Sequence, residues 1–156
     1  MQITQRDRNV ISLVARHRFL RSTHLRDLTE GAPAQLLRRL QALYHHGWLD
    51  RPRCQIDFFH KGGSRPMAYC LGSRGAALMR REHDTPFSQM VWSREGRDVG
   101  RYFLDHALMV SDVLVAVELA CRGEAAARRF VTAEALTAAH REARRTGAGR
   151  GIRIDR

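Results

Sequence analysis

The sequence predicts a mainly α-helical fold with a small β-wing, followed by a C-terminal region built on one long helix. Apolar residues recur at the spacing of one helix face in three successive segments before residue 47. Two short extended segments separated by a glycine-containing loop come next, and a long apolar segment occupies residues 103–122. These three observations set the expected order of the elements.

The first two helices have recognisable boundaries. Thr4 followed by Asp7 is typical of a capping box, in which each residue bonds the backbone of the other, and it predicts a helix over residues 5–17. Its apolar stripe comprises Val10, Ile11, Leu13 and Val14. Residues 18–21 are expected to be a connection to a brief second helix, which runs through Leu28.

A third helix is predicted over residues 34–46. Pro33 suits the first turn of a helix, and Gly47 suits its end because glycine tolerates a positive φ. The inward side chains repeat at i, i+4 and i+7, with two apolar neighbours beside them: Leu36, Leu40 and Leu43, then Leu37 and Tyr44. The outward face is then cationic and rich in hydrogen-bond donors, and its members are Gln35, Arg38, Arg39 and Ala42.

A β-wing is predicted directly after this helix. Residues 48–59 alternate weakly between apolar and polar side chains, and residues 67–71 form a second apolar run. The loop between them, residues 60–66, combines two glycines with potentially cationic side chains. A fourth helix is expected over residues 73–81. The order α-α-α-β-β-α over residues 4–83 is that of a winged helix-turn-helix domain.

The rest of the chain is predicted to form a linker, residues 84–101, and a helical region, residues 102–156. The helix over 103–122 is apolar almost all round, so we expect it to be buried against a second chain or against the rest of its own C-terminal unit. The final six residues resemble the start of a strand, as in an α/β unit that continues. The side chains expected to hold a homodimer together are Phe103, Leu104, Ala107, Leu108, Val110, Leu114 and Val117.

The charge of the chain favours a polyanionic partner. The formal net charge is +11, and residues 1–83 hold 15 Lys and Arg against 6 Asp and Glu. Every basic residue except Lys61 is arginine, which suits bidentate contact with phosphate or guanine. Neither a membrane-surface helix nor a membrane-spanning segment is expected. Three cysteines without a C-x-x-C pair and an N-terminus without a signal peptide predict a reduced, cytoplasmic protein.

Double-stranded DNA is the predicted partner. The third helix would enter the major groove, and the wing loop would contact phosphates. Two such helices in a twofold dimer would bind an inverted repeat. The predicted DNA-contacting residues are Gln35, Arg38, Arg39, Ala42, His46, Arg53, Lys61 and Arg65.

A metal site is the first alternative that the residues raise. The candidate ligands around the wing are His45, His46, Cys54, His60 and Cys70. Structural zinc sites use paired ligands at short spacings, and only the adjacent histidines are close in sequence. Neither a metal nor another cofactor is therefore predicted. His106 is expected to be a hydrogen-bonded core residue.

Two further functions remain open. A metal-dependent nuclease or relaxation enzyme would need acidic side chains from the C-terminal region, namely Asp105, Asp112, Glu134 and Asp155. Because no lysine follows Lys61, catalysis is not predicted, and Asp105 and Asp112 are expected to form a polar seam paired with arginines such as Arg101 or Arg97. A protein-interaction module would instead use the basic face to bind an acidic protein partner.

Several segments resemble the replication-relaxation family of bacterial plasmids and integrative elements. They are Thr4-Gln5-Arg6-Asp7, Leu36-Leu37-Arg38-Arg39-Leu40 with Gly47-Trp48-Leu49, and Tyr69-Cys70-Leu71-Gly72-Ser73-Arg74-Gly75. The run from Phe103 to Asp112 is similar to the family's His-x-Leu-x-Val-x-Asp segment at the head of its long helix. The resemblance implies a plasmid or mobile-element DNA-binding protein that acts in replication, in DNA relaxation at transfer, or in transcription control. Family members usually continue further at the C-terminus.

Overall fold

The computed structural model describes residues 1–55, 66–83 and 96–123, in which helices dominate and a small three-stranded antiparallel sheet is present. The helices are α1 (Gln5–His17), α2 (Ser22–Leu28), α3 (Pro33–His45), α4 (Ser73–His83) and α5 (Arg101–Gly123). The strands are β1 (Leu20–Arg21), β2 (Leu49–Asp50) and β3 (Ala68–Leu71), and Arg53–Gln55 forms a 3-10 turn. The prediction of a mainly helical fold with a little β-structure is confirmed.

The capping box predicted at the start of α1 is confirmed. The Thr4 hydroxyl accepts a hydrogen bond from the Asp7 backbone N–H at 3.3 Å, and the Thr4 backbone N–H donates to the Asp7 carboxylate at 2.6 Å. The two bonds satisfy backbone donors that the first turn of a helix leaves without partners. Asp7 is completely buried, so this cap lies inside the fold rather than at its surface.

The sheet contains a strand that the sequence pattern misses. β3 lies between β1 and β2 and pairs antiparallel with both, with Leu20 opposite Tyr69 and Leu49 opposite Leu71. The expectation of a plain connection over residues 18–21 is therefore wrong. A two-residue strand is too short to show an alternating pattern, and β1 exists because β3 supplies its hydrogen-bonding partners.

Two glycine-containing turns are locked together beside the sheet. Gly47 ends α3 with a φ of +71°, as predicted, and its carbonyl accepts a hydrogen bond from the Arg74 N–H at 3.0 Å. The Gly72 N–H donates to the Trp48 carbonyl at 3.1 Å. A Cβ atom on Gly72 would lie 2.3 Å from the Gly47 carbonyl oxygen, and one on Gly75 would lie 2.2 Å from that of Trp48. Close backbone approach therefore fixes the end of α3 against the start of α4.

One face of α5 belongs to the same core as the elements before it. Leu104 and Leu108 are buried in a cluster with Phe19 of the α1–β1 turn and with Ala68 and Cys70 of β3. Further along α5, Val115 joins the larger cluster formed by α1, α2, α3 and the sheet. Residues Met1–Leu119 form one compact unit and Ala120–Arg156 a second.

Several sequence predictions fall outside the described residues. They are the wing loop with Lys61 and Arg65, most of the linker over 84–101, and the strand and helix expected after residue 123. The part of the linker that is described, residues 96–100, belongs to the first compact unit, and Val99 packs on the cluster around Phe19. Among the helices in the described ranges, none is both long enough and apolar enough to cross a membrane.

Candidate nucleic-acid interface

The core determines which face of α3 points to solvent. Leu36, Leu40 and Leu43 are at most 3% exposed and pack in the main hydrophobic cluster, as their spacing predicts. Pro33 occupies the first position of the helix, where the missing N–H carries no penalty. Tyr44 packs against the same cluster, and the exposed side chains of α3 are turned away from it.

A four-residue turn sets α3 against α2. Residues 29–32 connect the end of α2 to the start of α3, and Gly31 in this turn has a φ of +103°, which a residue with a side chain rarely adopts. Arg6 of α1 holds the turn from outside by donating a hydrogen bond to the Glu30 carbonyl at 2.6 Å. A Cβ on Gly31 would lie 2.9 Å from the Arg6 guanidinium.

The outward face of α3 carries donors and no carboxylate. Its exposed polar side chains are Gln35, Arg38, Gln41 and His45, and the helix contains no Asp or Glu. Arg38 makes no ion pair with any residue in the described ranges. Leu37, expected beside the apolar stripe, is instead 53% exposed on this face. We call these five side chains the α3 outer face.

Arg39 does not belong to the α3 outer face, contrary to the sequence pattern. Its guanidinium forms a bidentate ion pair with the buried carboxylate of Asp7, with the Nε to Oδ1 distance at 2.6 Å. It also donates to the Gln2 carbonyl at 2.9 Å. Burial alone would raise the pKa of Asp7, but hydrogen bonds from Arg39 and Thr4 outweigh it and hold the pKa below its ordinary value. Arg39 therefore fixes α3 to the start of α1.

The other predicted DNA-contacting residues are distributed around α3. Ala42 is half-buried, and His46 is exposed directly after the helix. Arg53 is exposed in the 3-10 turn, where it forms an ion pair with Asp98 at 3.2 Å. These residues have accessible side chains near the end of α3 or after β2, but Ala42 offers no polar atom beyond its backbone.

Arg74 was missed by the sequence argument. It lies in the first turn of α4, and its guanidinium stacks over the Trp48 ring at 4.4 Å from the centroid. The same guanidinium donates to the His46 carbonyl at 3.3 Å, so it sits beside the C-terminal end of α3. The sequence does contain the two motifs that place Arg74 here, Gly47-Trp48 and Gly72 to Gly75. Only the fold shows that these two motifs are in contact.

The sequence model of one protein family, described as Replication-relaxation, matches residues 11–154. The match covers most of the chain. This protein belongs to the Replication-relaxation family. Among curated proteins and among solved structures, none matches the chain.

The segment that resembles the Replication-relaxation His-x-Leu-x-Val-x-Asp pattern lies on the first half of α5, and its residues face in different directions. Leu108 is buried in the core, whereas Val110 and His106 are exposed. The expectation of a core position for His106 is wrong, because it lies on the face of α5 opposite Leu104 and Leu108. Asp112 pairs with Arg21, and it accepts a hydrogen bond from the His24 Nε2 at 2.7 Å.

A second histidine-to-carboxylate contact joins α1 to α5 in this Replication-relaxation protein. His17 Nε2 lies 3.2 Å from a Glu118 carboxylate oxygen, and both side chains are buried. Burial lowers the pKa of His17 below its ordinary value, although the hydrogen bond and charge of Glu118 act in the opposite direction. Ser111 adds a hydrogen bond to the Phe19 carbonyl at 2.7 Å. The side chains of His17, Glu118 and Ser111 thus fix the orientation of α5 against α1 and the α1–β1 turn.

The predicted dimer residues divide between the two faces of α5. Leu104 and Leu108 are at most 5% exposed within the chain itself, so they do not belong to an open surface. Ala107 and Leu114 are half-buried. Phe103, Val110 and Val117 are exposed, although the Phe103 ring also contacts Phe19 edge-on at 6.2 Å. The predicted set is divided in this way because α5 is apolar on two faces and the folded unit covers only one of them.

Of the candidate metal and acid residues, His60, Glu134 and Asp155 lie outside the described residues. In the described ranges no group of three or more His, Cys, Asp or Glu is arranged to hold a metal ion. Burial raises the pKa of Cys70 to about 12, which keeps the thiol protonated, whereas metal binding requires the thiolate. Asp105 pairs with Arg101 at 3.2 Å, as the sequence predicts.

Proposed function

We propose that this Replication-relaxation protein binds double-stranded DNA through a winged helix-turn-helix, and that it acts in the replication, relaxation or transcription control of plasmid or other mobile-element DNA. The observation that carries the proposal is the α3 outer face. It presents hydrogen-bond donors without a single carboxylate, on a chain whose formal net charge is +11. Such a face is complementary to a polyanion.

The arrangement of α2 and α3 supports a helix-turn-helix. Their connection has the three-to-four-residue length and the glycine that are common in this motif. β2 and β3 follow α3 and pair antiparallel, as the two strands of a wing do. In DNA-binding proteins of this kind the second helix of the motif lies in the major groove and its N-terminal residues contact base edges.

Three residues near the start of α3 have the chemistry for reading bases. Arg38 can donate two hydrogen bonds to a guanine edge, Gln35 suits adenine, and Leu37 suits the methyl group of thymine. At 13 residues, α3 is about 20 Å long, enough to cross a major groove that is ~12 Å wide. Arg39 is excluded from this role because Asp7 holds its guanidinium.

Phosphate contacts would come from the edges of this face. Arg74 lies beside the C-terminal end of α3, His46 is exposed directly after this helix, and Arg53 is exposed in the 3-10 turn that follows β2. Lys61 and Arg65 are the basic residues of the proposed wing loop. Contacts with phosphates position the helix without selecting a sequence.

Duplexes selected from genomic fragments that the purified protein retains would test the proposal. We expect Arg38→Ala to weaken binding of a selected duplex by about 1–3 kcal/mol and binding of a scrambled duplex by much less. Arg81→Ala on α4 removes the same charge from an exposed side chain outside the α3 outer face and should change neither affinity by more than about twofold.

Two outcomes would count against the proposal. Equal losses on both duplexes for Arg38→Ala would remove it as a base-reading residue. A wild-type protein that binds no duplex even at low ionic strength would end the proposal altogether. An acidic protein that binds wild type but binds Arg38→Ala more weakly would then identify the α3 outer face as a protein-binding surface.

We propose binding rather than catalysis as the activity. Asp105 and Asp112 each have a cationic partner within the chain, which occupies carboxylate oxygens that a metal ion would need. Supercoiled plasmid incubated with the protein and Mg²⁺ should therefore stay supercoiled. Nicked plasmid that disappears on adding a chelator would favour the nuclease alternative.

A further inference from the structure

The face of α5 opposite the core is an uncovered apolar stripe. At about 100° of rotation per residue, the positions of its members fall within roughly a third of the helix circumference and therefore lie on one side of the helix. We call them the α5 outer stripe: Tyr102, Met109, Val110, Val113 and Val117. Tyr102 is 92% exposed and Val113 is 60% exposed, whereas Leu104 and Leu108 on the other face are buried.

The stripe is large for a surface that meets only water. It spans 16 residues of helix, which is about 24 Å. The five side chains expose roughly 600 Å² together, which is at the upper end for the largest apolar patch of a monomer and near the ~800 Å² that each partner contributes to a stable interface. Two identical stripes packed against each other therefore offer about the area of a small stable interface.

The stripe contains no charge of either sign. The other exposed residues between its members on the same side are His106 and Ala116. The acidic residues that flank it are neutralised within the chain, because Asp105 pairs with Arg101, and Asp112 pairs with Arg21 and His24. An uncharged stripe can face a copy of itself without repulsion, as a twofold symmetric interface requires.

Residues 124–156 differ from the stripe in composition. These 33 residues contain eight arginines and four acidic residues. Their large apolar side chains are five in number: Phe130, Val131, Leu136, Ile152 and Ile154. The segment is therefore rich in charge, whereas the stripe is uncharged.

We propose that the α5 outer stripe is the interface with a second copy of this chain, formed by the two α5 helices packing against each other. Of the interface residues that the sequence predicts, the stripe keeps only Val110 and Val117. Leu104 and Leu108 are needed in the core, and Tyr102, Met109 and Val113 are added. The interface does not depend on DNA. If the proposed function also holds, the twofold pair carries two α3 helices and selects an inverted repeat.

The mass of the full chain in solution, measured without DNA across a dilution series, tests the interface. We expect wild-type protein to have twice the monomer mass of 17.8 kDa. Met109→Glu should raise the dissociation constant at least about 100-fold, because a carboxylate would be buried without a partner. Gln5→Glu places the same charge on an exposed position of α1 and should leave the mass unchanged.

Circular dichroism of each variant separates loss of dimer from loss of fold, and Val113→Ser provides a milder second variant. A wild-type chain that is monomeric at every concentration would overturn the proposal, including the case in which hydrogen exchange shows the stripe protected by the chain's own residues 124–156. A dimer that survives Met109→Glu would overturn it as well. Since no DNA is present, these outcomes are independent of whether the α3 outer face binds a duplex.

Discussion

The outward faces of α3 and α5 differ in chemistry although both helices pack their inner faces on one folded unit. The α3 outer face consists mainly of amide, guanidinium and imidazole groups, whereas the α5 outer stripe is uncharged and apolar. A face of hydrogen-bond donors is well solvated, and its binding to a polyanion is favoured by the release of the polyanion's counterions. Burial of an apolar face is favoured because it removes apolar surface from water. The two proposals therefore name chemically different partners for two helices of the same protein.

We expect the largest effect from salt concentration, which should weaken DNA binding by the α3 outer face but not dimerisation through the α5 outer stripe. If about 6 phosphates are neutralised per monomer, log affinity for DNA falls with log salt at a slope of about −5, or about 10³-fold between 50 and 200 mM. Dimerisation through an apolar stripe should not weaken over this range. Parallel titrations of duplex binding and of mass at four salt concentrations check this, and a dimer that dissociates as salt rises would mean that charge pairs hold it together.

The two adjacent arginines of α3 should give opposite results when each is replaced by alanine. Arg39→Ala leaves the buried Asp7 carboxylate without its ion-pair partner and should lower the free energy of unfolding by about 3 kcal/mol. Arg38→Ala removes an exposed side chain and should lower it by less than about 0.5 kcal/mol. Denaturant titrations of both variants measure the difference.

Arg39→Lys sharpens that comparison, because it keeps a charge but cannot reproduce the bidentate contact, and it should recover only part of the stability. Equal stability of the two alanine variants would show that the pair with Asp7 does not hold α3 in solution.

The contact of His17 with Glu118, which holds the inner face of α5, predicts the smallest effect. Burial lowers the pKa of His17 in the folded chain. Below pH 6.5, the ordinary pKa of histidine, the unfolded chain therefore binds a proton at this residue more readily than the folded chain does. The stability from this group is thus complete above pH 6.5 and is lost as pH falls through the lowered folded pKa. Unfolding between pH 8 and 5 should show this slope. It should flatten in His17→Gln, and His45→Gln on the α3 outer face serves as the matched control.

Local signals in the sequence predict much of the fold. The capping box of Thr4 and Asp7, the proline at the start of α3 and the glycine at its end depend on residues within a few positions of one another, and all three are confirmed. β1 is missed because its two residues acquire their structure from β3, 47 or more positions later. Pairing between distant segments leaves no periodic signal in a short strand.

The candidate site is predictable only in part for the same reason. Helical periodicity places Gln35 and Arg38 outward, but it cannot distinguish Arg38 from Arg39, whose partner lies 32 positions earlier in the chain. The apolar composition of α5 predicts burial on both sides, and only the fold shows which side the unit itself covers. Arg74 joins the end of α3 through two glycine turns that are far apart in sequence.

The Asp7 carboxylate takes part in two interactions, since it caps the N-terminus of α1 and forms an ion pair with Arg39 of α3. The tilt of α3 is therefore coupled to the first few residues of the protein, including the Gln2 carbonyl. If α3 binds DNA as proposed, a change in this leading segment would alter how α3 is held without replacing any side chain of the α3 outer face.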